Sequence, residues 1–466
     1  MSGMDWDTIV AVTAGQWAIE PAPGQQPPVG VAIDTRELHR GQTFVAYVGD
    51  RVDGHEYMVQ AKVLGAAMCV VTDPSKIPEG FDVPTLVVDD STGAMTAMAK
   101  HWASLLHGII IGVTGSNGKT TTTRLIHAVL SHAGESWVSS KSHNNAIGVP
   151  MSILNAPIDA RFVIFELGTS SPGEIKDRAS LVQPDISVIT SIGRAHLQEL
   201  GSIEGVCAEK SSILCGTRTL GIVPGGIKEL EDAIGECSHD CDLERLAADQ
   251  LDGVVCTDRS VSFDLDGHRF TAPVPGVHNA SNAAMAVLVG RACNMSDTDI
   301  AAGLAKTKLP QMRLDRVEIP TKTDSIVIYN DAYNANPDST RAAIAFFASI
   351  HSEAQKVMIL GDMLELGSAA DSEHKAMVAD LDIDLGRVVL VGPLYAKAAG
   401  QGDEICPSTD DHAMSELART IKPGDLVLLK GSRGIGLERL VYILINRHTP
   451  FARAGRSRSP RDKAAQ

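Results

Sequence analysis

In the run GIIIGVTGSNGKTTTTRLIHAVL an apolar strand leads into a glycine-rich turn, and an amphipathic helix follows. The turn carries Gly112, Gly118, Lys119 and Thr120 in the manner of a phosphate loop, with Gly115 as an additional glycine. Each residue type has a chemical reason to be there. Glycines let backbone N–H groups turn toward phosphates, a lysine supplies a point charge at the transferred group, and a threonine hydroxyl at a helix N-terminus can hold magnesium. Thr114, Ser116, Asn117 and Thr121 complete the segment expected to cradle a nucleoside triphosphate.

A phosphate loop alone does not separate kinases, motors, GTPases and ligases. Glu166 ends the apolar run RFVIFE, and His196 follows the strand-like ISVITSIG, so both are expected at strand tips within reach of a metal. Magnesium prefers oxygen and rarely needs imidazole, so the pair suggests a second metal. Lys210 lies in LQELGSIEGVCAEKSSIL, a stretch of helical periodicity with Glu199, Glu204 and Glu209 around it. By its own pattern it reads as an ordinary surface lysine.

The elements that must position these groups are short strands alternating with helices. A length of 466 residues predicts about three domains. VGVAIDTR, QTFVAYVG, AMCVVTD and TLVVDD read as strands of a small first α/β unit ending near His107. Its turns Asp34-Thr35-Arg36 and Asp53-Gly54-His55 could read an anionic ligand, or serve as caps. Beyond Leu309, SIVIYNDAY, KVMILGDM, GRVVLVG and DLVLLKGS give the rhythm of a mostly parallel sheet, with active loops expected at Asp331, Asp362 and Lys430. The residues from about 452 to 466 are basic and rich in Ser and Pro, which reads as a disordered tail.

Net charge of −16 and only 4% aromatic residues argue against nucleic-acid binding. No apolar stretch approaches a membrane span and the N-terminus lacks a signal pattern, so a cytoplasmic protein is expected. The eight cysteines read as reduced; Cys237, His239 and Cys241 lack a second ligand pair at zinc-finger spacing.

The segments GVTGSNGKTTT, KSHNNAIGVP, FELGTSSPGEI, SIGRAHLQELGS, GVHNASN, MRLDR, YNDAYNANPDS, ILGDMLELG and LLKGSRG closely resemble those of the bacterial Mur ligases. The likeness runs from Asp34 to about Glu438. It implies an α/β architecture of three domains: a small N-terminal α/β domain over residues 1–107 for the UDP-muramoyl precursor, a central P-loop ATPase domain over 108–308, and a C-terminal Rossmann-like domain over 309–466. Residue by residue, it implies that Lys119 and Thr120 take the phosphates and a first Mg2+, that Glu166 and His196 bind metal, and that Lys210 is carbamylated to help place a second Mg2+. It puts His278, Asn279 and Asn282 on the nucleotide side, with Asn282 near adenine, Arg313 on phosphate and Asp331 on ribose. Thr35, Arg36, Asp53, Gly54 and His55, with Asn144 and Asn145, match precursor-binding segments, while Tyr333, Asn334 and Asn336 match the acceptor side. Ser191 and Ser212 stand where the family pattern often has Asn and Glu.

Within the family, DAYNANPDS and LGDMLELG imply an ATP-dependent acid–D-amino-acid ligase that joins D-alanyl-D-alanine to UDP-N-acetylmuramoyl-tripeptide in peptidoglycan precursor synthesis. The implied enzyme is a cytoplasmic bacterial monomer that passes through an acyl phosphate and releases ADP and phosphate. A sister ligase adding a single amino acid, or a nucleotide-gated scaffold without activity, is the alternative. Lys or diaminopimelate at the third peptide position stays open, as does the general base.

Overall fold

The computed structural model describes residues 4–49, 52–139 and 143–448. The basic tail expected from about 452, and Lys141 and Ser142 of the KSHNN segment, lie outside the described residues.

Four sheets organise the chain. The first has the strand order Gln16–Ile19, Thr85–Val87, Met68–Val71, Thr43–Val45, Val31–Ala32, parallel except at the Gln16–Ile19 edge. The second is wholly parallel, in the order Asp242–Leu246, Leu220–Pro224, Ile186–Ile189, Ile109–Thr114, Phe162–Glu166, Ser136–Val138. A small antiparallel sheet, Asp252–Cys256, Val261–Leu265 and His268–Ala272, lies beyond it and gives no clear signal in the sequence. The last runs Asp315–Pro320, Ser325–Asp331, Leu426–Lys430, Lys356–Gly361, Arg387–Val391, Glu404–Cys406, antiparallel only at its first pair. Near-continuous Ile, Val and Leu runs make such strands because both faces are covered by helices.

Strand Ile109–Thr114 lies between Phe162–Glu166 and Ile186–Ile189, with later strands added outward on both sides. That is the topological switch point, and a crevice opens there at the carboxyl ends of the strands. The helix Lys119–Leu130 starts at this crevice and buries Leu125, Ile126, Val129 and Leu130 against helix Asn279–Ala292 and the sheet.

The first sheet is welded to the second. Val31, Met68, Leu86 and Trp102 share one apolar core with Val149, Leu154, Val163 and Phe165. Trp102 Nε1 donates to Ala156 O at 3.0 Å, and Asn155 Nδ2 donates to Val31 O at 2.8 Å. The last sheet has cores of its own on both faces.

Candidate active site

The turn before helix Lys119–Leu130 is held from both sides. Gly115 and Gly118 have φ of +143° and +80°. A Cβ on Gly115 would run into Thr190 Oγ1, so space as well as conformation requires glycine there, and one on Gly118 would meet the end of the Asn282 side chain. Ser116 N–H donates to Ser191 O at 2.8 Å, Asn117 N–H donates to Ser191 Oγ at 3.0 Å, and Ser116 Oγ donates to Gly193 O at 3.0 Å. Ser191, where the family pattern often has Asn, therefore fastens the loop through its hydroxyl. Lys119 Nζ folds back onto Gly115 O at 2.6 Å and Ser116 O at 3.2 Å. This curled ammonium is positioned to exchange two carbonyls for a phosphate.

Thr120 and Glu166 meet beside it. Thr120 Oγ1 donates to Glu166 Oε2 at 2.8 Å, while Asn144 Nδ2 donates to Glu166 Oε1 at 2.6 Å. Asn145 Oδ1 accepts from Gly148 N–H at 2.8 Å at the start of helix Gly148–Asn155. His196 adopts a left-handed φ of +55°, and its Nδ1 lies 3.5 Å from Glu365 Oε2, in the loop that follows strand Lys356–Gly361. Burial, together with the charges of Lys119 and Lys210, pulls the His196 pKa down to about 4, so the ring is neutral at pH 7 and keeps a free lone pair.

Lys210 departs from its sequence reading. It is 0% exposed and its Nζ has no hydrogen-bond partner. Burial, then the charge of Lys119, holds its pKa well below the ordinary lysine value. The helical stretch read from the sequence is broken at Gly201 and Ser202 into Leu197–Leu200 and Ile203–Ser211. The second helix turns part of its polar face inward. Glu209, also buried, accepts from Gly173 N–H at 2.6 Å, Ile175 N–H at 2.8 Å and Thr169 Oγ1 at 2.9 Å. Ser212 Oγ donates to Glu209 O at 2.6 Å and so caps this turn.

The donor chemistry fits the implied metals in part. Thr120 and Glu166 are oxygen donors of the kind Mg2+ takes, and an orphaned buried amine is a poor neighbour for a cation until it carries a carboxylate. Among the described residues, no three His, Cys, Asp or Glu side chains converge as a ligand group. Side chains of the unmodified protein therefore supply an incomplete set, as is usual where substrate phosphates are ligands too.

Lys119, Thr120, Asn144, Asn145, Glu166 and His196 line a cleft of about 550 Å³ together with Ser116, Asn117, His278, Asn279, Asn282, Arg313, Asp331, Tyr333, Asn334 and Asn336, whereas Lys210 is not among the lining residues. Arg313 stacks over the Tyr333 ring at 4.2 Å. Lys430 Nζ donates to Asp331 Oδ2 at 2.7 Å and Asn334 O at 2.8 Å. Asn282 is engaged with protein: its Oδ1 accepts from Thr122 Oγ1 at 3.3 Å and its Nδ2 donates to Asn279 Oδ1 at 2.8 Å. Asp362, expected in an active loop, is 1% exposed, and its carboxylate accepts from Leu394 N–H at 3.0 Å and Tyr395 N–H at 2.8 Å.

The first-domain residues stand apart from this cleft. Thr35 Oγ1 donates to Gln60, Arg36 pairs with Asp34, and Asp53 accepts from His55 N–H and Lys76 Nζ. Gly54 is required by a close approach, since a Cβ there would lie 2.7 Å from the Tyr47 backbone. Residues that sequence reasoning missed include Arg178, Asp338 and Glu365, which also line the cleft. Only their place in a fold reveals them; each is an ordinary charged residue by spacing.

Three family models match the chain: "Mur ligase family, catalytic domain" over residues 29–103, "Mur ligase middle domain" over 113–290, and "Mur ligase, glutamate ligase domain" over 313–433. The UDP-N-acetylmuramoyl-tripeptide–D-alanyl-D-alanine ligase of Bacillus subtilis is 36% identical over 434 residues, spanning 89% of this chain and 93% of that protein. The chain belongs to the Mur ligase family. The Mur ligase of the same description from Escherichia coli is 29% identical, spanning 89% of this chain and 93% of that protein. The solved MurF of Acinetobacter baumannii superposes with a TM-score of 0.78 at 27% identity, covering 94% of this chain and 98% of that one. The three-domain Mur ligase architecture is thus present here, and the chain is an ATP-dependent ligase whose family works with ATP and Mg2+. No described helix is long and apolar enough to cross a membrane.

Proposed function

We propose that this Mur ligase joins D-alanyl-D-alanine to the terminal carboxylate of UDP-N-acetylmuramoyl-tripeptide, giving the pentapeptide precursor of peptidoglycan, ADP and phosphate. The near full-length likeness to ligases of that description carries the reading, and the cleft shared by the phosphate loop and the last sheet supports it. We divide the work among residues 1–107 for the precursor, 108–308 for ATP and 309–466 for the acceptor side.

A carboxylate is a poor acyl donor because its oxygen leaves badly, and phosphorylation by ATP solves that problem. Lys119 leaves its two loop carbonyls to meet the transferred phosphoryl group, and Arg313 leaves the Tyr333 face to meet the same charge. Thr120, Glu166 and His196 would hold Mg2+, with Lys210 as its carbamate for a second ion; the ions supply charge neutralisation on the phosphates and on the developing oxyanion. The low pKa of Lys210 favours this modification, because only a neutral amine attacks CO2. The amine of the dipeptide then displaces phosphate, and the closed cleft keeps water from the acyl phosphate.

Purified protein given ATP, UDP-N-acetylmuramoyl-tripeptide and D-alanyl-D-alanine should release ADP and yield a product whose mass is the sum of both peptides less water. ADP release should need both partners. A product formed with a single amino acid and none with the dipeptide would overturn the assignment.

A further inference from the structure

Cys215 and Cys237 form a second reactive group, outside the cleft. Their Sγ atoms lie 2.8 Å apart although 22 residues separate them in the chain. Cys215 is exposed in the turn Ser212–Gly216, which continues directly from the Lys210 helix. Cys237 follows helix Lys228–Glu236, and its Sγ lies 3.6 Å from the carbonyl of Ser211. A bonded pair of sulfurs is separated by about 2.05 Å, so closure needs a movement of about 0.8 Å, within the reach of side-chain rotation. The other cysteine nearby, Cys241, is buried and faces His239 at 3.7 Å.

We propose that Cys215 and Cys237 are an oxidisable dithiol that takes a small-molecule disulfide and, on closing, ties the Lys210 helix to the helix Lys228–Glu236. The exposed sulfur reacts first: the Cys215 thiolate attacks one sulfur of the small disulfide, expels the other half as a thiolate and leaves a mixed disulfide. Cys237 then loses its proton to solvent and attacks the Cys215 sulfur, expelling the second small thiol. Two protein thiols and one disulfide become one protein disulfide and two small thiols, with no other reactant. Burial, and then the neighbouring Cys215, push the Cys237 thiol up to about 12. The bond forms five residues beyond Lys210 and couples the surrounding thiol balance to the rigidity of that helix.

The inference rests on the sulfur geometry and is independent of the ligase reading. Incubation of the full chain with glutathione disulfide, alkylation of the remaining thiols and peptide mass mapping should give a Cys215–Cys237 link reversed by dithiothreitol. Cys237→Ser should stop at a glutathione adduct on Cys215, Cys215→Ser should form no link, and Cys241→Ser should link as the parent does. Amide exchange over 203–216 should slow about tenfold on oxidation. Persistence of both thiols, a link through Cys241, or unchanged exchange after linkage would overturn the proposal.

Discussion

Asn336 Nδ2 donates to Asn117 Oδ1 at 2.8 Å, joining the last sheet to the phosphate loop across 219 residues of chain. The same side chain caps helix Pro337–Ser349, its Oδ1 accepting from Ser339 N–H at 2.8 Å. Asn336→Asp keeps the cap, removes the donor and adds negative charge beside the phosphates. It should weaken ATP binding about tenfold with little change in thermal stability, whereas Asn336→Ala should also lose about 1 kcal/mol with the cap. Nucleotide titration and thermal unfolding of the two variants separate the effects.

Thr120→Val removes the hydroxyl that donates to Glu166 and that would hold Mg2+. Turnover should fall about 100-fold or more, and the buried Glu166 oxygen should cost about 1–3 kcal/mol through its lost partner. Thr120→Ser should recover most of both, read by ADP release and chemical denaturation.

Lys210→Met should uncouple stability from activity. A buried amine without a partner is costly, so the variant should unfold at the same temperature as the uncarbamylated parent or higher, while ligation falls to background. Calorimetry alongside product formation tests this; a variant that ligates at full rate would remove Lys210 from the site.

Glu174 gives the chain an acid limit. Burial alone would raise its pKa, but the amides of Ser170 and Ser171 and the Arg178 guanidinium outweigh it and hold the value at about 2, against an ordinary 4.5. A depressed carboxyl contributes stability that is fully present above pH 4.5 and lost as pH falls toward 2. With solvent screening, the contribution is roughly 1–3 kcal/mol. Denaturation of the parent and Glu174→Gln at several pH values should show a gap that is constant from pH 5 to 7 and closes below it.

The glycine-rich turn ahead of Lys119 was legible because glycine, lysine and threonine so close together have few other uses, but Gly112 and Thr114 fall inside strand Ile109–Thr114 and do not line the cleft. Glu166 and the other strand-tip groups were legible because apolar runs end abruptly in polar residues. Lys210 was not, since helical periodicity reports which face is polar and not whether that face is covered. Asp362 misled for the opposite reason: a carboxylate after a parallel strand serves equally well to accept from a helix N-terminus, and here it accepts from the first turn of Pro393–Ala398, the helix that follows the neighbouring strand. Asp338 and Arg194 show a third limit. Arg194 N–H donates to Asp338 Oδ2 at 2.8 Å, a contact between distant segments that no local pattern encodes.

The two joints of the molecule differ in kind. Between the first and second sheets, Val31, Trp102, Leu154 and Phe165 belong to one apolar mass. Where the last domain meets the phosphate loop and its neighbours, the contacts are polar: hydrogen bonds from Asn336 to Asn117 and from the Arg194 N–H to Asp338, an ion pair of Arg194 with Glu373, and the Glu365 carboxylate beside the neutral His196 ring. Water can stand in for each of these at little cost, but nothing in solvent replaces a lost core. The first joint is an oil seal and the second a wet clasp, so a chain severed near His107 would ruin both pieces, while the far end can unfasten and refasten with every turnover.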